Sequence, residues 1–326
     1  MRIGVIGPKW PDAFAANIMD GLAAMGLDVI SLGSSYALGG QYLSAVTAAA
    51  RQAFPALDER AQLGLADRAL HHECDVVINV EQCLMPVVVR RLRSNGVKVA
   101  FWFPDAVVNM GRQLMLLAGY DALFFKEPHI VERLRVLLDL PVFYLPQACN
   151  PNLHQPLVTP ATERYLVIAG NMYPSRVRLL ERLMAEGVPL KLYGSGFPRW
   201  TGQTPLRDAH TGRSVYGTAK AAVFRSAVAV LNNLHPAEIS GINVRVFEAA
   251  GCGAAVLTEF RPTLPELFAT GDEVLAFRDF DELISQAKRL LEEDGLSAKL
   301  GDAAALRAHR DHTYPQRLAV LLEKLG

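Results

Sequence analysis

The chain has 326 residues, more than one hydrophobic core usually supports, so two domains are expected. Hydrophobic residues make up 51% and charged residues 20%, and 33 basic side chains cancel 33 acidic ones, which excludes a nucleic acid or an anionic membrane as a partner held by bulk charge. No apolar run reaches membrane-spanning length and the N-terminal one is too short for a signal peptide, so the cytoplasm is the expected compartment.

In chain order, short apolar runs alternate with longer amphipathic ones, the pattern of a parallel sheet covered by helices. RIGVI (2–6) is the first predicted strand. After GPKWPD a helix is predicted with Asp12 as its cap and Gly26 as its stop, and DVISL follows as a second strand. Further strands are predicted at DVVINV (75–80), VKVAFWF (97–103), ALFF (122–125) and VFYL (142–145). The stretch LPQACNPNLHQPLVTPATE (145–163) holds four prolines and no sustained period, and reads as an interdomain linker. It divides the chain into domains 1–157 and 158–326.

A second β/α series begins at YLVIA (165–169) and continues through LKLY (190–193), AVAVLN (227–232), AAVLT (254–258) and VLAF (274–277). Leu318, Leu321, Leu322 and Leu325 place an apolar stripe along a last helix. Two consecutive open α/β domains put the carboxyl ends of two sheets across a cleft, where such sheets bind ligands. Two-Rossmann glycosyltransferases, sugar-nucleotide epimerases and periplasmic binding proteins all fit that plan. The last loses support from the missing signal peptide.

The most informative segment is NVRVFEAAGCGAAVLTE (243–259): a helix start, a short helix and a glycine-bounded turn into a buried strand. A helix N-terminus at Asn243 offers unpaired N–H groups and a positive dipole end, suited to a diphosphate. Arg245 adds a cation, and Glu248, acceptor-only when ionised, suits two neighbouring ribose hydroxyls. Gly251 and Gly253 permit a tight helix end. The competing reading makes Arg245 and Glu248, three apart, a surface pair.

This segment resembles the donor-binding motif of the two-Rossmann (GT-B) glycosyltransferases, in particular the subgroup related to the spore maturation protein CgeB, with Asn243, Arg245, Phe247, Glu248 and Gly253 matching N-x-R-x-F-E and its small-residue turn. VIAGNMYPSR (167–176), LYGSGF (192–197), HTYPQR (312–317) and the linker extend the resemblance over most of the chain. It implies two Rossmann-like domains, with the C-terminal helix returning toward the N-terminal domain. It also implies a nucleotide-diphosphate sugar donor, most readily a UDP- or dTDP-sugar, with no cofactor and an unidentified acceptor. Gly170, Asn171 and Arg176 are implied at the donor phosphates, and Tyr193 and Gly194 near the nucleobase or ribose. Retaining relatives carry a Glu eight positions before the ribose-binding one; Ser240 stands there, with Glu238 out of register, so the stereochemical outcome stays open. An epimerase and a non-catalytic nucleotide-sugar-binding protein remain as alternatives.

In the first half, Asp105 ends a strand at the cleft side, where a carboxylate can deprotonate an acceptor hydroxyl, and Glu81 is a second candidate by the same topology. Lys9 and Trp10, after the first strand, are candidates for the acceptor side. His235, in the loop before the donor motif, is a candidate for contact with the sugar. His71 and His72 are expected to point apart and to share no metal. Asp279 and Asp281 formally match a D-x-D metal motif, but Asp279 with Glu282 makes a capping box, so no metal is expected. Cys74, Cys83, Cys149 and Cys252 lack any metal-ligand or redox spacing and read as reduced thiols, mostly buried.

Overall fold

The structure is a computed structural model and describes residues 1–35, 53–111, 113–156 and 163–326. Its residues cluster into two compact units, 1–146 with 314–326, and 147–313. The boundary expected at 157 falls outside the described residues.

The first unit is a six-stranded parallel sheet ordered β2-β1-β3-β4-β5-β6, from β1 (Arg2–Ile6), β2 (Asp28–Gly33), β3 (Val76–Asn79), β4 (Lys98–Phe103), β5 (Ala122–Phe125) and β6 (Val142–Tyr144). Helices α1 (Phe14–Ala24), α2 (Pro55–His71), α3 (Pro86–Ser94) and α4 (Pro128–Leu138) connect and cover these strands. The central strands are apolar along nearly their whole length because both faces are covered, so β3 and β5 are buried at every position. The expected Asp12 cap is not made. Asp12 adopts a left-handed φ of 61°, whereas a capping residue needs extended backbone, and the position before the helix goes to Ala13. His71 and His72 do not point apart either: His72 lies beyond the last helical residue, and the two rings meet edge to face at 5.3 Å.

The second unit is a five-stranded parallel sheet ordered β11-β10-β9-β7-β8, from β7 (Glu163–Ala169), β8 (Leu190–Tyr193), β9 (Ala227–Asn232), β10 (Val256–Glu259) and β11 (Leu275–Phe277). Its longer helices are α5 (Pro174–Ala185), α6 (Gly217–Ser226), α7 (Val244–Gly251), α8 (Phe280–Glu292) and α9 (Leu296–Asp311). β10 starts two residues later than predicted. Gly253, at φ 72°, closes α7, and the Ala254 N–H reaches back to the Ala249 carbonyl, so both belong to the helix stop.

The last helix, α10 (Tyr314–Leu325), belongs to the first unit rather than to the C-terminal series that precedes it in sequence. Tyr314 packs within 6.0 Å of Phe14 and 6.2 Å of Trp102, and Leu318 is fully buried. Gly21 allows that approach, since a Cβ there would lie 2.8 Å from Leu318 and 2.9 Å from Tyr314. The apolar stripe read from the sequence is what this seam buries. No helix among the described residues is long and apolar enough to cross a membrane.

Candidate functional site

In each sheet the winding reverses once, between β1 and β3 in the first unit and between β7 and β9 in the second. Loops on either side of such a reversal diverge and leave a crevice beyond the strands' carboxyl ends. Most of the residues singled out in the sequence stand at these two reversals.

In the second unit, Gly170 follows β7 and Gly194 follows β8, with φ of 144° and 148°. A Cβ on Gly194 would lie 2.3 Å from the Gly170 carbonyl oxygen, so the two loops touch through bare backbone. The Gly170 N–H donates to the Tyr193 carbonyl, and Asn171 Oδ1 accepts from the Ser195 hydroxyl at 3.0 Å. Tyr193 itself is buried in the core, which gives its ring a packing role and leaves its carbonyl at the loop.

Arg176, in the first turn of α5, is only 7% exposed. Its guanidinium donates to Asn233 Oδ1 at 2.8 Å, the Asn233 carbonyl at 3.1 Å and the Asn171 carbonyl at 2.9 Å, and lies 4.5 Å from the centre of the Tyr173 ring. Every one of these partners is neutral. Burial lowers the guanidinium from its ordinary value, and Arg245 adds to the lowering. Asn233 Nδ2 donates to the Tyr173 hydroxyl, which donates in turn to the Asn233 carbonyl, and His235 meets the Tyr173 ring at 5.2 Å. Arg176, Asn233 and His235 thus straddle the reversal between β7 and β9.

Asn243 caps α7: its Oδ1 accepts the Arg245 N–H at 3.1 Å. One turn on, Glu248 is 4% exposed. Its Oε1 accepts from Lys220 Nζ at 2.7 Å, its Oε2 from Arg245 at 2.5 Å, and His154 Nε2 stands 3.8 Å from Oε1. Burial pushes this carboxyl up, but Arg245, Lys220 and His154 outweigh it and hold the group down at about 2. The Arg245–Glu248 pair of the competing reading therefore exists, but with its carboxylate buried and a second cation beside it.

In the first unit Glu81 is buried and hydrogen-bonded on both oxygens: Ser34 Oγ donates to Oε1 and the Ser35 N–H to Oε2. That arrangement ties the end of β2 to the end of β3 and occupies the carboxylate. Asp105 stands exposed just past β4, where crowding raises its carboxyl and Lys126, at the end of the adjacent β5, opposes the rise. Lys9 and Trp10 are both exposed after β1, Trp10 at 62%.

Asp279 caps α8, its Oδ1 accepting the Glu282 N–H at 2.8 Å, and Glu282 reaches back to the Arg278 N–H at 2.7 Å. Among the described residues no group of three or more His, Cys, Asp or Glu is placed to hold a metal. The four cysteines are not joined in disulfides; three are buried and Cys83 is partly so.

Lys220, Tyr173, Asn233 and His154 are site residues that sequence reading missed. Only Lys220 left a signal. Helical periodicity puts it on the buried face of α6 beside Ala221 and Phe224, where a lysine needs an anionic partner.

Residues 176–323 match the family described as Glycosyl transferase-like. Among solved structures, sucrose-phosphate synthase from Thermosynechococcus elongatus superposes with a TM-score of 0.67 at 14% identity, covering 99% of this chain and 98% of that one. Anabaena Alr3699/HepE in complex with UDP gives 0.65 at 13%, covering 99% and 100%. A glycosyltransferase from Rickettsia africae gives 0.64 at 11%, covering 99% and 97%. No curated protein matches the sequence. The solved structures share the two-Rossmann GT-B fold over the full length of the chain, and the family match covers its C-terminal part, residues 176–323.

Proposed function

We propose that the protein transfers a sugar from a nucleotide-diphosphate sugar, a UDP-sugar or dTDP-sugar, to an acceptor hydroxyl without a metal, as a member of the CgeB-like subgroup. The observation that carries this is Arg176, a buried guanidinium whose hydrogen bonds all go to neutral groups. A desolvated cation of that kind is costly unless an anion arrives to compensate it, and a guanidinium binds phosphate oxygens bidentately. Arg245 and the N-terminus of α7 add positive potential nearby, and the bare contact between Gly170 and Gly194 lets backbone approach the ligand. The solved complex of Anabaena Alr3699/HepE with UDP supports the choice of ligand class.

In this reading the departing diphosphate is stabilised by Arg176, Arg245 and the helix terminus, groups fixed before the substrate binds. Glu248 holds the ribose, while Asn171, Tyr193, Gly194 and Asn243 complete the nucleotide's surroundings. His235 faces the sugar. The test is incubation of the pure protein with UDP-, dTDP-, GDP- and ADP-sugars and an acceptor panel. Nucleoside diphosphate should be released in proportion to glycosylated product, equally well in EDTA. Loss of turnover in EDTA, restored by manganese or magnesium, would remove the metal-free mechanism. Isomerised donor without acceptor would make the protein an epimerase.

Asp105 is assigned to acceptor activation in preference to Glu81, whose carboxylate is held by Ser34 and Ser35. Lys9 and Trp10 are assigned to acceptor contact. Asp105→Asn is expected to lower kcat by about 10²–10⁴-fold with nucleotide affinity unchanged. Because crowding raises the Asp105 carboxyl and only its ionised form accepts a proton, the acidic limb of kcat/KM should lie above the ordinary aspartate value. That limb should vanish in the variant. A fully active Asn variant would return the role to Glu81.

A further inference from the structure

Glu248 has more cationic partners than neutralising it requires. Lys220 lies on α6 and is only 3% exposed, its ammonium 2.7 Å from Oε1. Arg245 holds Oε2, and its guanidinium rests 5.6 Å from the ring centre of Phe224, one turn beyond Lys220 on that helix. α6 therefore supports both cations. His154, whose Nδ1 accepts the Asn150 N–H at 2.9 Å, turns its Nε2 toward Oε1. For stability alone one cation would do, and a buried ion pair is often no better than an apolar pair of the same volume. The second cation does something an apolar residue cannot. One donor on each oxygen fixes the plane of the carboxylate, and each oxygen keeps a further lone pair, so two acceptors are presented side by side.

We propose that Lys220 is a positioning residue that, by holding Oε1 of Glu248, makes this site select ribonucleoside over 2′-deoxyribonucleoside diphosphates. The inference rests on the nucleotide reading of the site given above, and it favours a UDP-sugar over a dTDP-sugar. A carboxylate held by Arg245 alone can rotate about its last bond. It then satisfies one hydroxyl nearly as well as two, and the discrimination fades.

The test is calorimetry of UDP, GDP and ADP, each beside its 2′-deoxy counterpart, on the wild type, Lys220→Met and Lys220→Arg, with melting temperatures recorded in parallel. The wild type should prefer the best ribonucleotide by about tenfold, which corresponds to the loss of one good hydrogen bond. Lys220→Met should reduce the preference to within about threefold, and Lys220→Arg should restore most of it. Between pH 8 and pH 5 wild-type affinity should change only as far as the terminal phosphate of the nucleotide titrates, at about pH 6. In Lys220→Met it should fall further, because burial pushes a carboxyl with fewer cations upward into that range. A preference and a pH profile that both survive Lys220→Met, with only the melting temperature lowered, would overturn this inference and leave the nucleotide reading intact. If Lys220→Met does not fold, Lys220→Gln is measured by the same criteria. Failure of the wild type to bind any of the six nucleotides would overturn the nucleotide reading and this inference with it.

Discussion

Replacing Arg176 with methionine is expected to weaken nucleotide-diphosphate binding by about 1.5–3 kcal/mol, the range for hydrogen bonds to a charged group, and to lower turnover by about 10²–10³-fold. The larger kinetic loss follows if charge accumulates on the diphosphate as the sugar departs, since a fixed cation then counts for more in the transition state than in the ground state. Methionine keeps the stem that packs below the guanidinium and removes the charge. What separates this prediction from a structural role is the stability of the protein without ligand. Arg176 is desolvated and hydrogen-bonded only to neutral groups, so its removal relieves a burial cost while losing the bonds to Asn233 and Asn171. These effects oppose each other. The free variant should therefore stay within about 1 kcal/mol of the wild type, or exceed it. A scaffold role for Arg176 predicts the reverse pattern: a lowered melting temperature with nucleotide affinity unchanged. Thermal denaturation with and without UDP reads both quantities at once.

The sheets were legible in the sequence because parallel strands buried on both faces leave short apolar runs rich in β-branched and aromatic residues. ALFF, LKLY and AVAVLN are strands over the predicted residues. Helix ends were less legible. Asp12 offered the chemistry of a cap, but its left-handed backbone follows from the turn Trp10–Ala13, which no local propensity announces. At the site, residues in one contiguous motif were readable together. Asn243, Arg245 and Glu248 lie within six positions, where helical spacing dictates who meets whom. Asn233 and Tyr173 are sixty positions apart and become partners only because β7 and β9 are neighbours in the sheet. Lys220 reaches Glu248 across 28 positions because α6 and α7, which precede and follow β9 in sequence, pack into one core. Glu81 shows how a position can be read without its partners. Its place past a strand end suggested catalysis, and only the structure reveals Ser34 and Ser35 on its oxygens.

Replacing Glu248 with glutamine is expected to weaken nucleotide-diphosphate binding by roughly 1.5–3 kcal/mol, because one acceptor oxygen facing the ribose becomes a donor. Stability alone does not distinguish this from a purely structural role. The carboxylate lies between Lys220 and Arg245, so its neutralisation strands two largely buried cations and costs stability under either reading. The pH dependence makes the same point. A carboxyl held at about 2 in the folded protein, against an ordinary 4.5, contributes stability that is present above pH 4.5 and lost as pH falls toward 2. Glu248→Gln should lack that slope whether or not ribose is its ligand. The decision comes from a cycle in which the second change is made in the ligand. Removing the 2′-hydroxyl should weaken binding to the wild type and have much less effect on the Gln variant, since one interaction cannot be lost twice. With both proteins titrated by the ribo- and 2′-deoxy nucleotides at a temperature well below either melting point, the four affinities give the coupling directly. A coupling of about 1 kcal/mol or more places the hydroxyl on the carboxylate. Additive losses, or wild-type affinity in the variant, would mean that Glu248 serves only to balance Lys220 and Arg245 and that the ribose is held elsewhere.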